Sequence, residues 1–201
     1  MNIRRRTRLI SAVALLTALS FCFWQPKLAI SQANLVGRTI TGTVYFVGGP
    51  GAGRSLPFTL IINRLTTPEE VTQLNAALQS GRQDEMLKVL SKMQGGRIQI
   101  GTGVGVPANA IVASSAEGGR RLVVLYERNL RFAELRFGTR SADYKFGYAE
   151  IYLTGTRGEG MLIPAAKVRL RDGNTWEVED FGTFPARLMG LQVRGGPALP
   201  R

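Results

Sequence analysis

The sequence predicts an α+β, mainly β fold: an antiparallel sandwich or barrel-like sheet with one inserted helical hairpin. Three observations lead there. Most of the chain alternates short β-branched and aromatic runs with glycine-rich turns, the pattern of an all-β sheet with tight connections. One segment, about 67–94, instead carries helical periodicity behind a strong cap. Without the leader described below, the remaining 168 of 201 residues are enough for one core.

Arg38–Val47 and Ser55–Leu65 read as the first two strands, paired as a hairpin across Gly48–Gly53, with Pro57 pointing to an edge or a bulge. Thr67-Pro68-Glu69-Glu70 then opens a helix. Thr67 caps, Pro68 suits the first helical position, and Glu70 completes a capping box. Val71, Leu74, Ala77 and Leu78 follow at helical spacing. Gly81 ends that helix, and Asp84 caps a second one that stops at Gly95-Gly96. Strands return at Arg97–Ile100, Asn109–Ser114, Arg121–Arg128, Tyr144–Leu153, Gly160–Leu170, Thr175–Asp180 and Leu188–Val193, while Leu130–Phe137 suits strand or short helix. The tail 195–201 is expected to be flexible.

One register can be derived in advance. Lys167, Arg169 and Arg171 alternate with Ala166, Val168 and Leu170; Glu177 and Glu179 alternate with Trp176 and Val178. A three-residue loop, Asp172-Gly173-Asn174, makes both patterns agree, with Asn174 in the left-handed conformation. Arg169 then faces Glu177, Lys167 faces Glu179, Leu170 faces Trp176 and Val168 faces Val178.

The N-terminus reads as an export signal, residues 1–33. Four arginines, Arg4, Arg5, Arg6 and Arg8, precede a 16-residue weakly polar to apolar stretch, Leu9–Trp24, and then Ser31-Gln32-Ala33. Small residues at Ser31 and Ala33 suit a signal peptidase and place the mature N-terminus at Asn34. A permanent anchor is disfavoured because spanning needs about 20 apolar residues. A lipoprotein would use Cys22, but bulky Phe21 precedes it. Arg8 sits where the twin-arginine motif has an apolar residue, so the general secretory route is expected. The expected location is the periplasm, the envelope or the medium, with no transmembrane span after processing.

Composition removes much chemistry. The chain has no histidine, and its single cysteine, Cys22, lies in the leader. Histidine triads, histidine- or thiolate-held metals and disulfides are therefore excluded from the mature part. No cofactor or metal is expected. The leader takes five basic residues, the four arginines and Lys27, and no acid; the 26 basic residues become 21 against 14 acidic, a net +7.

Five motifs deserve weighing. Gly48–Ser55 approaches a phosphate loop, but Arg54 replaces its lysine and a strand follows where a helix is needed; it reads as a hairpin loop. Gly101-Thr102-Gly103-Val104-Gly105 lacks the following helix of a dinucleotide fingerprint. Glu177, Glu179 and Asp180 offer carboxylates for a glycosidase-like hydrolase, although a solvated strand face explains them as well. Tyr144, Phe146, Tyr148 and Tyr152 share one strand face by period two, which suits core packing or an aromatic ligand surface. Arg120, Arg121, Arg128, Arg131, Arg136 and Arg140, with Lys145, are opposed only by Glu127, Glu134 and Asp143. They are the candidate site for an anionic partner: an envelope polymer, a lipid headgroup or an acidic protein. Nothing resembles a nucleic-acid-binding motif.

Three segments carry a resemblance: Phe58–Thr67, Gly138-Thr139-Arg140-Ser141-Ala142-Asp143-Tyr144, and Gly160-Met161-Leu162-Ile163-Pro164-Ala165-Ala166. They are similar to an uncharacterised family of exported bacterial proteins with no assigned activity. The resemblance spans most of 39–193 and implies export, but no catalytic motif and no ligand. The sequence thus points to a non-catalytic exported binding or structural module, with a carboxylate-dependent hydrolase as the alternative.

Overall fold

The computed structural model describes residues 35–48, 51–80, 83–128, 143–173, 175–181 and 185–195. The expected leader, Gly49 and Pro50 of the glycine loop, Gly81 at the expected helix end, the ambiguous segment 130–137, Arg131, Arg136, Arg140, Asn174 and the tail beyond Gly195 lie outside them. No helix among the described residues is long and apolar enough to cross a membrane.

Among the described residues ten strands and two helices follow one another: β1 Thr39–Tyr45, β2 Ser55–Ile62, α1 Pro68–Gln79, α2 Gln83–Leu90, β3 Gly96–Ile100, β4 Val106–Ala108, β5 Ala110–Ala116, β6 Gly119–Glu127, β7 Phe146–Thr154, β8 Arg157–Arg171, β9 Thr175–Asp180 and β10 Ala186–Arg194. They form one antiparallel sheet in the order β4-β3-β2-β1-β10-β8-β7-β6-β5, with β9 on β8. The two ends of that path, β4 and β5, are separated in sequence only by Asn109. The sheet is therefore nearly closed into a barrel, because one kinked strand pairs with β3 before the kink and with β6 after it.

Asn109 holds the kink. Its carbonyl accepts from the Gly95 amide at 2.9 Å. Its side-chain Nδ2 donates to the Met93 carbonyl at 3.3 Å, and its Oδ1 accepts from the Glu127 amide at 3.0 Å. One residue thus joins the β3 side to the β6 side. Thr66 continues the seam: its amide donates to the Ile111 carbonyl and its Oγ1 accepts from the Ile111 amide, both at 2.8 Å. Gly96 is required beside the seam, since a Cβ there would lie 1.9 Å from the Ile61 carbonyl oxygen.

Strand alternation sorts side chains into two cores. Inward residues fill the barrel: Ile40, Val44, Phe58, Leu60, Ile62, Ile98, Leu122, Val124, Ile151 and Leu162 are almost wholly buried. Tyr126 also points inward and lies over Gly147, where any side chain would strike its ring. The second core lies outside the wall. Val123 and Leu125 of β6, Phe146 and Tyr148 of β7, and Ile163, Ala166 and Val168 of β8 receive Leu74 and Leu78 of α1 and Met86 and Leu90 of α2.

The helices form where the caps direct. Thr67 and Glu70 make the reciprocal capping box, and Arg64 grips the Glu70 carboxylate through two nitrogens at 2.7 and 2.9 Å. The second helix begins at Gln83, one residue before the expected Asp84 cap, and ends at Leu90. Gly95 lies in the seam and Gly96 opens β3, so neither marks the helix stop. Gln83 docks the hairpin: its Nε2 donates to the Val168 carbonyl at 2.6 Å and its Oε1 accepts from the Val168 amide at 3.1 Å. That amide stands in for a missing strand on the edge of β8 that β7 no longer reaches.

The β8–β9 register is as derived: Arg169 opposes Glu177, Lys167 Glu179, Leu170 Trp176 and Val168 Val178 across the loop 172–174. Left-handed backbone falls on Asp172 (φ 53°) and Gly173 (φ 75°). Two expectations need correction. Pro57 does not mark an edge, because β2 pairs with both β1 and β3. Its missing N–H falls at the last rung, where Gly101 donates to the Pro57 carbonyl as β3 ends. Strand β4 was not expected, because Pro107 and five residues of glycine-rich loop disguise it.

Asn109→Ala would leave the part-buried Glu127 amide and the buried Met93 carbonyl without these partners, costing roughly 2–4 kcal/mol. Urea unfolding followed by far-UV circular dichroism should show that loss; a change within about 0.5 kcal/mol, the size of an ordinary surface substitution, would contradict this role for Asn109.

Candidate functional site

Among the described residues the outer wall carries one buried charge, Glu150. Pairing of β6 with β7 sets Arg121 opposite Tyr152, Val123 opposite Glu150 and Leu125 opposite Tyr148. Alternation puts Tyr148, Glu150 and Tyr152 on the same outward face. Glu150 is only 6% exposed. Its Oε1 accepts from Arg121 Nε and from the Tyr152 hydroxyl at 2.5 Å, and its Oε2 accepts from the Tyr148 hydroxyl at 2.8 Å. Burial alone raises a carboxyl pKa, but the hydrogen bonds from Arg121, Tyr152 and Tyr148 outweigh it and hold Glu150 below its usual value. Burial first, and the neighbouring carboxylate second, push the Tyr148 phenol far above its ordinary range.

Arg121 is partly exposed; its Nε donates to Glu150, and its guanidinium also lies within hydrogen-bonding reach of the Tyr148 and Tyr152 hydroxyls. The side chain lines a cleft of about 270 Å³ between the helical hairpin and the wall. Its apolar sides come from Val71 of α1, Val112 of β5, Val123 of β6 and Trp176 of β9; Ser114, Thr175 and Tyr148 add hydroxyls. Trp176 is fixed because its Nε1 donates to Asn75 Oδ1 of α1 at 2.7 Å. The cleft therefore offers a guanidinium fork whose angle is set by a buried carboxylate, beside an apolar wall.

The sequence candidates are dispersed. Arg120 is half-buried and points to the opposite face from Arg121. Arg128 lies past the far end of β6, where its Nη1 donates to the Tyr144 carbonyl. Arg120, Arg121 and Arg128 therefore form no common patch, and only Arg121 enters the cleft. Of the aromatic set, Phe146 and Tyr148 are packed in the outer core. Tyr144 is buried before β7, 4.9 Å from the Phe181 ring, and its hydroxyl donates to Glu179. Tyr152 alone is open, at 44% exposure. Glu177 is exposed opposite Arg169, which reaches diagonally to Glu179 at 2.7 Å. The described part of the glycine loop closes β1 onto β2, with the Gly53 amide donating to the Phe46 carbonyl at 2.9 Å and the Phe46 amide donating to the Arg54 carbonyl at 3.0 Å.

Glu150 itself went unselected in the sequence. Its signal was present: Tyr148-Ala149-Glu150-Ile151-Tyr152 sets a carboxylate between two tyrosines on one face of a strand otherwise rich in apolar residues. No group of three or more carboxylates, histidines or cysteines arranged for a metal occurs among the described residues. Comparison with protein families, curated proteins and solved structures finds no match to this chain.

Because Glu150 has a folded pKa below its unfolded one, its stabilisation is complete above the ordinary carboxylate value of about 4.3 and is lost as pH falls through the folded pKa. Glu150→Gln should therefore be less stable than the natural protein at neutral pH, with the gap narrowing in acid. The Arg64–Glu70 pair contributes equally to both proteins and cancels. Urea midpoints measured across that range test this, and a gap independent of pH would contradict it.

Proposed function

We propose that the chain is an exported, non-catalytic binding module, and that its cleft holds the oxyanion of an anionic partner against Arg121. The observation that carries this reading is the partly exposed guanidinium, held through Nε by buried Glu150, at the edge of an apolar cleft. A fork held in this way loses little freedom on pairing with phosphate or carboxylate. The filled barrel also favours an external site, since its interior is occupied by side chains. The apolar side of the cleft favours an oxyanion attached to an apolar body, as in an anionic lipid, over a purely polar polymer. Export rests on the order of basic, apolar and small residues at the N-terminus.

The hydrolase alternative is less well supported. Glu177 is exposed on the ribbon, Glu179 is engaged by Arg169 and Tyr144, and Glu150 is enclosed by an arginine and two tyrosines.

The chain has two tryptophans, Trp24 in the proposed leader and Trp176 in the cleft. In a Trp24→Phe background, Trp176 fluorescence titrated with octyl phosphate should report binding. The affinity should fall steeply between 0.1 and 1 M salt, where the Debye length shrinks from about 10 to 3 Å. Arg121→Gln should weaken it by at least about tenfold, the scale of one charged hydrogen bond. Equal, salt-insensitive binding of octyl glucoside would overturn the anionic reading and leave an apolar cleft.

A further inference from the structure

A second groove lies on the part of the barrel wall that the helices leave uncovered. Val47 follows β1, Met189 belongs to β10, Met161 to β8 and Tyr152 to β7, and together they line it. Val47 is 50% exposed, Met189 51% and Tyr152 44%; Tyr45, directly opposite Arg187 in the ladder, is 38% exposed. Scattered apolar residues on a surface are ordinary, but this group is contiguous, and apart from Val47 its members lie on paired strands.

The placement of Met189 has a backbone cause. Strand β10 carries an irregularity between Leu188 and Leu191 against β8, matched by one between Thr41 and Thr43 against β1. Gly190 supplies a positive φ of 61° there. The bulge keeps Leu188 and Leu191 both inside the barrel and turns Met189 outward between them.

Two unpaired charges border this groove. Glu159 and Arg187 are both exposed, and neither has a hydrogen bond or ion pair among the described residues. On the sheet, Arg187 opposes Met161 and Glu159 opposes Tyr152, so they are diagonal neighbours that leave each other unbonded. We infer that this wall is a two-fold interface with a second copy of the chain, in which Arg187 of each copy meets Glu159 of the other across the apolar groove. A two-fold interface must be complementary to itself, and an acid and a base on the same patch around an apolar centre meet that condition. The groove has that composition. An anionic bilayer fits it less well, since Glu159 would face like charge. The inference is independent of the anion-binding reading, because it uses neither Arg121 nor the cleft.

Charge exchange tests it directly by sedimentation velocity on the purified chain. The natural protein should dimerise. Glu159→Arg alone and Arg187→Glu alone should each weaken the dimer by at least about tenfold, because each sets like charges together twice. The double variant should dimerise again, and the two single variants, mixed, should form a heterodimer that neither forms alone. Met189→Ser should weaken association without altering the charges, and circular dichroism of every variant checks its folding. A natural protein that stays monomeric at every concentration reached would overturn the inference. So would a dimer indifferent to both charge variants. Should a single variant fail to fold, the double variant and Met189→Ser decide the question: dimerisation restored in the first and weakened in the second supports the interface, and any other combination contradicts it.

Discussion

Three hydrogen bonds at Asn109 determine whether this chain has a barrel or an open sheet. A sheet with two free edges leaves rows of unpaired N–H and C=O groups, which proteins seldom leave uncovered. Here the edges are β3 and β6, and no single straight strand serves both. The chain crosses between them by breaking one strand at Asn109, whose amide replaces the ladder bonds that the kink removes. An apolar residue at that point would leave the turn before β3 and the end of β6 without partners. Thr66 does the same for Ile111 one rung further on. The same seam carries the loop that leads into the helices, so closure and helix placement are one event.

The outer core follows from that placement. With the interior filled, outward residues of β6, β7 and β8 need a separate cover. The helical hairpin supplies it over one part of the wall, and Gln83 and Asn75 tie the hairpin to the β8–β9 ribbon. The cleft is the gap at the margin of this cover. Glu150 sits at the margin, where a charge can be buried only if hydrogen bonds compensate for lost water. Arg121 and the two tyrosines provide them. The proposed binding reading uses a by-product of this compensation: an arginine anchored on a buried carboxylate while its side chain stays partly exposed at the cleft.

The sequence disclosed what depends on local periodicity and local chemistry. The capping box at Thr67 and Glu70, the alternation of Lys167 to Arg171 against Trp176 to Glu179, and the glycine turns are contacts between near neighbours. They appear in the chain as spacing. The features that went unseen join distant positions. Asn109 reads only as the first residue of a strand until Met93, Gly95 and Glu127 surround it. Pro57 suggests an edge because the sequence does not show that β3 ends at that rung. The arginines look clustered because Arg120 and Arg121 are adjacent, yet alternation sends them to opposite faces. Glu150 was overshadowed by the more conspicuous acids of β9, although its flanking tyrosines already marked it. Sandwich and barrel also share one pattern of alternation. Only the pairing of β4 and β5 with different partners separates them.

Amide hydrogen exchange at the seam tests the central claim most directly. If Asn109 and Thr66 close the barrel, the amides of Gly95, Ile111 and Glu127 should exchange only through global unfolding, with the same opening free energy as Leu60 and Val124 in the filled core. Rapid exchange at those three positions, with the core still protected, would show an open sheet whose edges merely approach each other and would contradict the account.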